Sequence, residues 1–103
     1  AVTERGVSFG YGDLVVDPRA FYIMAKQNIP VIFDVTHSTQ APPATESQGT
    51  TGASRQLAPL LARSAAVSGY LSGVFLEVHP EPEKALSDSL AQLSISQSKS
   101  RLI

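Results

Sequence analysis

Two histidines, nine carboxylate side chains and eight Lys+Arg supply most of the ligand and acid–base chemistry of this 103-residue chain, which has no cysteine. The most informative of these stand directly behind runs that read as strands. Arg5 lies in Glu4-Arg5-Gly6 after Val2, and Thr36-His37 follow Val31-Ile32-Phe33-Asp34-Val35. Glu77 and His79 end the run from Gly73 to Val78, and Asp88 comes eleven residues after Glu77. A guanidinium such as Arg5 can hold a carboxylate or phosphate bidentately. His37, Glu77 and Asp88 offer nitrogen and oxygen ligands to a divalent ion of borderline or hard type. A fourth ligand would have to come from elsewhere.

Each of these residues also has a plainer reading. Arg5 could form a surface ion pair, and Asp88 in Leu-Ser-Asp-Ser could serve a turn or a helix cap. A histidine behind a strand is more often a loop residue than a ligand. Glu77 is the most pointed of the set, because a carboxylate in an apolar run needs a partner. Asp34 either orients a neighbour or satisfies backbone donors. His79-Pro80-Glu81-Pro82 reads most simply as a rigid turn.

Something must bring these residues to one place. Asp17 and Pro18 open a helix from Arg19 to Gln27 on which Phe21, Met24 and Ala25 share a face, and Asn28 and Pro30 end it. The β-branched and aromatic run Val31–Val35 predicts a strand. Ala41 to Ser54 carry no large apolar side chain, giving a loop of about fourteen residues, a length at which loops tend to be functional or disordered. A second helix is expected from Arg55 or Leu57 to Ser68, with Leu57, Leu60, Leu61 and Ala65 on one face, Pro59 in or near the first turn and Gly69 at the C-terminus. Gly73–Val78 predicts a buried strand, and a short helix follows from Pro82 to Leu86. The six serines between Ser87 and Ser100 give little drive to either structure. Gly6 to Asp17 reads as a Gly-rich connection.

Strands alternating with helices imply an α/β chain of parallel βα units, whose ligands bind at the C-terminal ends of the strands. A (β/α)8 TIM barrel uses about 250 residues, or about 31 per unit. This chain therefore holds about three units, either a small open sheet or the last part of a barrel. Composition narrows the function further. With 43% hydrophobic and 17% charged residues the chain is globular, and its net charge of −1 leaves no footprint for nucleic acid or an anionic membrane. No apolar run approaches the roughly 18 residues of a spanning helix, and no signal segment opens the chain. A cytoplasmic setting is expected.

Several of the same segments, in one order, resemble the 3-deoxy-D-manno-octulosonate 8-phosphate (KDO 8-phosphate) synthases. They are Thr3-Glu4-Arg5-Gly6 through Phe9-Gly10-Tyr11, Leu14-Val15-Val16-Asp17, Phe33-Asp34-Val35-Thr36-His37-Ser38 and Phe75-Leu76-Glu77-Val78-His79-Pro80-Glu81-Pro82. Ala85-Leu86-Ser87-Asp88 and Gln92-Leu93 continue the likeness. The resemblance runs from Thr3 to about Ile95, so residues 1–95 are expected to form the C-terminal part of such a barrel and 96–103 a divergent serine-rich tail. Its strands would be the sixth to eighth, with Ala41–Ser54 the loop covering the site.

The resemblance implies a transferase that joins phosphoenolpyruvate to D-arabinose 5-phosphate with water, giving KDO 8-phosphate and phosphate in lipopolysaccharide biosynthesis. It also implies a homotetramer at full length. Arg5 and His37 would bind phosphoenolpyruvate, and Gln40 and Thr51 the sugar phosphate. His37, Glu77 and Asp88 match three ligands of the divalent metal ion of the metal-dependent members. The fourth ligand there is an N-terminal cysteine, outside these residues. The stretch Glu81–Asp88 resembles the metal-dependent group. The chain departs from the family at Gly52-Ala53, where two glycines are usual, at Ser89-Leu90-Ala91 and in a loop about two residues longer. It lacks the first half of the site, so the chain alone is expected to be inactive. The alternatives are a related phosphoenolpyruvate-condensing synthase of the heptulosonate or sialic acid type, or a degenerate, non-catalytic interaction protein.

Overall fold

In the computed structural model, residues 1–8, 13–40 and 51–100 are described, the side chains of 51–54 and 100 excepted. The central element is β4, Val31–Asp34, which takes a parallel neighbour on each side. One is β1, Val2–Glu4, paired Val2 to Val31 and Glu4 to Phe33. The other is β5, Gly73–Phe75, paired Ile32 to Gly73 and Asp34 to Phe75. Val31, Phe33 and Val35 are buried, as the apolar run of a strand flanked on both sides requires.

Parallel neighbours need long crossovers. The first, from β1 to β4, contains helix α1, Arg19–Ala25. It also holds an antiparallel pair not foreseen in the glycine-rich connection, β2 (Val7–Ser8) with β3 (Leu14–Val15). Asn28 leaves α1 in the left-handed region at φ 55°, so the expected stop is real. Asp17 caps this helix as expected, with Pro18 already in helical conformation behind it. Its carboxylate accepts the Arg19 backbone N–H at 3.0 Å and pairs with the Arg19 guanidinium at 2.7 Å.

The second crossover runs through α2, Thr51–Val67. The helix begins earlier than expected, so 51–54 are helical rather than loop, while 41–50 lie outside the described residues. Pro59 sits well inside this helix, not in its first turn. Of the expected face, Leu61 and Ala65 pack in the core, but Leu57 and Leu60 do not. Ala58, Ala62 and Ala65 face the core, and Leu57 and Leu60 are about half exposed. Alanines at that spacing let the helix backbone approach the sheet closely, and the leucine and alanine series satisfy the helical period equally. Gly69, at φ 76°, follows the helix as expected. Phe21 of α1 and Phe33 of β4 meet edge to face at 5.6 Å, and Val31, Val35, Leu93 and the alanine stripe complete the core.

The third strand is shorter than Gly73–Val78, ending at Phe75. The Glu77 backbone N–H turns to the Thr36 hydroxyl at 2.8 Å, which takes it out of any ladder. Val78 then pairs in parallel with Leu93, and the His79 N–H reaches the Leu93 carbonyl at 3.0 Å. The short helix expected over Pro82–Leu86 is one 3-10 turn, Pro82–Lys84. A last helix, α3, covers Ile95–Ser100 despite the serines. Its start is a reciprocal cap: Ser94 Oγ accepts the Gln97 N–H at 3.2 Å, and Gln97 Oε1 accepts the Ser94 N–H at 3.0 Å.

Candidate metal centre

Where β4 ends, the chain drops into a 3-10 turn, His37–Thr39. Two buried hydroxyls fix that turn, Ser38 Oγ on the Val35 carbonyl at 3.2 Å and Thr39 Oγ1 on the Thr36 carbonyl at 2.7 Å. Asp34 spans it as a clamp. Its Oδ1 accepts the His37 backbone N–H at 2.9 Å, and its Oδ2 lies 2.7 Å from His37 Nδ1. That settles the open question about Asp34, which orients its neighbour. With the Nδ1 proton held by Asp34, the other ring nitrogen presents its lone pair outward. The ring lies nearly parallel to Phe75 of β5, centroids 6.0 Å apart.

His37 Nε2 faces Glu77 Oε1 and Asp88 Oδ2, each at 3.4 Å. Ligand atoms of all three residues lie within 4.8 Å of one another. Glu77 is held from two sides, its backbone by Thr36 and its Oε2 by Gln92 Nε2 at 3.2 Å. The same Gln92 amide reaches the Ser87 carbonyl at 2.8 Å, so it also ties down the approach to Asp88. Asp88 adopts φ 49°, a left-handed conformation that aspartate tolerates better than most residues. Its carbonyl takes the N–H groups of Ala91 and Gln92, and its Oδ1 accepts from Gln40 Nε2.

Burial pulls the His37 imidazole pKa down, but the Asp34 hydrogen bond and the charges of Asp34, Glu77 and Asp88 outweigh it and hold it above its ordinary value. Two carboxylates aimed at one nitrogen want a cation between them, either a proton or a metal ion. A charge-assisted N–H···O bond runs about 2.7–2.9 Å, shorter than the two contacts seen. Ligands sharing an ion with bonds of about 2.0–2.2 Å stand about 3–3.5 Å apart. One imidazole nitrogen with two carboxylate oxygens is thus a donor set that could hold a divalent metal ion.

The other expected site residues fall as follows. Arg5 is exposed, just past the C-terminal end of β1 and beside β4, outside the three-residue cluster. Gln40 joins the cluster through Asp88. Thr51 is the first residue of α2, and its side chain lies outside those described. His79 follows the plainer reading, its Nδ1 accepting the Glu81 N–H at 3.0 Å within the turn. Sequence reasoning did not single out Thr36 or Gln92. The signal for Thr36 was its place beside the candidate ligand His37; Gln92 stood in the family likeness, but its reach to Glu77 and Ser87 is set by the fold.

A sequence model of the DAHP synthetase I family matches residues 1–103. The chain belongs to the DAHP synthetase I family. Among curated proteins it is similar to the 2-dehydro-3-deoxyphosphooctonate aldolase of Legionella pneumophila (strain Corby), 51% identical over 85 residues, covering 82% of this chain and 30% of that one. The protein of the same name from Dichelobacter nodosus is 46% identical over 94 residues, 91% of this chain and 33% of that one. Among solved structures, phospho-2-dehydro-3-deoxyheptonate aldolase (DAHP synthase) from Thermotoga maritima superposes with a TM-score of 0.75 at 33% identity, over 97% of this chain and 26% of that chain. A truncated 3-deoxy-D-arabino-heptulosonate 7-phosphate synthase from the same organism gives a TM-score of 0.74 at 32% identity, over 97% and 34%. The chain spans about a third of the length of the curated relatives it matches. The resemblance to KDO 8-phosphate synthases read from its motifs agrees with the names of the two curated relatives. An open parallel sheet that covers so little of its larger relatives fits a piece of a (β/α)8 barrel. No helix among the described residues is long and apolar enough to cross a membrane.

Proposed function

We propose that the chain is the C-terminal part of a KDO 8-phosphate synthase, three βα units of its barrel over residues 1–95, and that it is inactive alone. The observation that carries this reading is the convergence of His37, Glu77 and Asp88 at the ends of two neighbouring parallel strands, in a chain half identical to 2-dehydro-3-deoxyphosphooctonate aldolases. In the reaction, carbon 3 of phosphoenolpyruvate attacks the aldehyde of D-arabinose 5-phosphate. Water adds at carbon 2, and inorganic phosphate leaves with cleavage of the C–O bond.

The residues of this chain would divide that work. Arg5 holds phosphoenolpyruvate with charge-assisted bonds, and His37 lies beside it. Gln40 and Thr51 steady the sugar phosphate, fixing the aldehyde against the enol. His37, Glu77 and Asp88 would hold a divalent metal ion, joined by a cysteine from outside these residues. Held there, the ion would supply Lewis acidity for the aldehyde or the attacking water. Asp34 keeps the proton on His37 Nδ1, so that Nε2 stays available as a ligand. A tetramer in the cytoplasm completes the proposal.

The test uses phosphate release from phosphoenolpyruvate. The 103-residue chain with arabinose 5-phosphate should give none above a metal-only blank. The whole polypeptide from its native source should turn over arabinose 5-phosphate in preference to erythrose 4-phosphate or N-acetylmannosamine. Preference for erythrose 4-phosphate would establish the heptulosonate type instead, which the likeness to the Thermotoga structures keeps in view.

A further inference from the structure

Arg55, early in α2, bonds across this end of the molecule, and the proposed reaction does not use it. Its side chain is mostly buried, at 19% exposure. From α2 it crosses to the segment that carries the third ligand. Nη2 donates to the backbone carbonyl of Ser89, the residue directly after Asp88, and Nη1 lies 3.3 Å from Glu83 Oε1. These contacts join positions 34 and 28 residues apart in sequence. Its Nε is buried without a hydrogen-bond partner among the described residues. An unpaired buried N–H opposes folding, so the other two contacts set where the guanidinium lies.

Asp88 needs such a tether. It sits at positive φ in a segment with little regular structure, between the 3-10 turn at Pro82–Lys84 and the pairing of Leu93 with Val78. Gln40 and Gln92 restrain its carboxylate and its carbonyl, but both act from the His37 and Glu77 side. Arg55 restrains the next peptide from the α2 side. Asp88 Oδ2 faces His37 Nε2 only while that peptide keeps its orientation.

We propose that Arg55 is a positioning residue of the metal centre, holding the Asp88 ligand in place by binding the Ser89 carbonyl while Glu83 fixes the guanidinium. This rests on the reading of His37, Glu77 and Asp88 as metal ligands. A lysine could donate to the Ser89 carbonyl but could not make both contacts in the plane of a fork.

The test is a double-mutant cycle on the whole polypeptide from its native source, read by titration with Co2+ and its visible absorption. Arg55→Ala should weaken Co2+ binding by about tenfold or more, the usual cost of losing a group that orients a ligand. In an Asp88→Ala background the same change should cost less than about twofold, since a tether acting through Asp88 has nothing left to position. Arg55→Lys should fall between wild type and Arg55→Ala. If Arg55→Ala does not fold by circular dichroism, Arg55→Lys is carried through the same cycle and decides the matter. An equal loss in both backgrounds, or no loss with Asp88 present, overturns the positioning role alone. Co2+ binding that Asp88→Ala leaves unchanged, or a whole wild-type polypeptide that takes up no Co2+, overturns the metal-centre reading beneath it.

Discussion

His37 shows how much of this site is decided by single atoms. Its position behind a strand was legible, but its state was not, because that depends on Asp34, Glu77 and Asp88 converging from three segments. With those anions around it the imidazole should titrate above the ordinary value of about 6.5 in the metal-free chain. A group with a raised folded-state pKa stabilises fully below its unfolded pKa, and that contribution is lost as pH rises through the folded value. The metal-free chain should therefore lose stability as pH climbs past neutrality. Proton NMR of the His37 ring gives the midpoint directly, and a midpoint below the ordinary value would contradict the geometry. Asp34→Asn should lower that midpoint and weaken divalent-ion binding by about 10–100-fold, as isothermal titration would show. Thr36→Val strands the Glu77 N–H and should cost about 1–3 kcal/mol in urea unfolding. Thr36 gave no chemical motif of its own, because its hydroxyl matters only through the strand it terminates.

At the scale of elements, the sequence was most readable where one signal ruled. The β-branched run of β4 and the stops at Asn28 and Gly69 all appear where they were expected. Elements went astray where two patterns fitted equally well. In α2 the expected face kept Leu61 and Ala65, but the core takes Ala58 and Ala62 in place of Leu57 and Leu60, a neighbouring series with the same period. In α3 the Ser94–Gln97 capping box was present, but the neighbouring serines masked it. The pair β2 and β3 was hidden because two-residue strands carry almost no pattern. Gly6, just before β2, takes φ 92°, and an added Cβ would stand 3.3 Å from Leu14 Cβ and close to the Val15 carbonyl. Gly6→Ala should destabilise the chain by about 1–2 kcal/mol through the left-handed backbone alone, measurable as a lower urea midpoint with an unchanged slope.

The whole molecule looks unfinished in a consistent way. Among the described residues its parallel sheet leaves β1 and β5 as edges, and Val74 and Phe75 of β5 are about half exposed. Leu86 is fully exposed and Val67 nearly so. Open strand edges beside exposed apolar side chains invite further pairing. The isolated chain should accordingly self-associate as its concentration rises, which light scattering across a dilution series would detect. Within the KDO 8-phosphate synthase reading, the absent βα units cover those edges and bring the remaining substrate and metal ligands. That central claim is tested most directly by the intact mass of the polypeptide in its native source. The chain weighs 10.9 kDa and matches about 30% of a relative's length, so the account predicts a mass about three times larger. A native polypeptide of 10.9 kDa would contradict it.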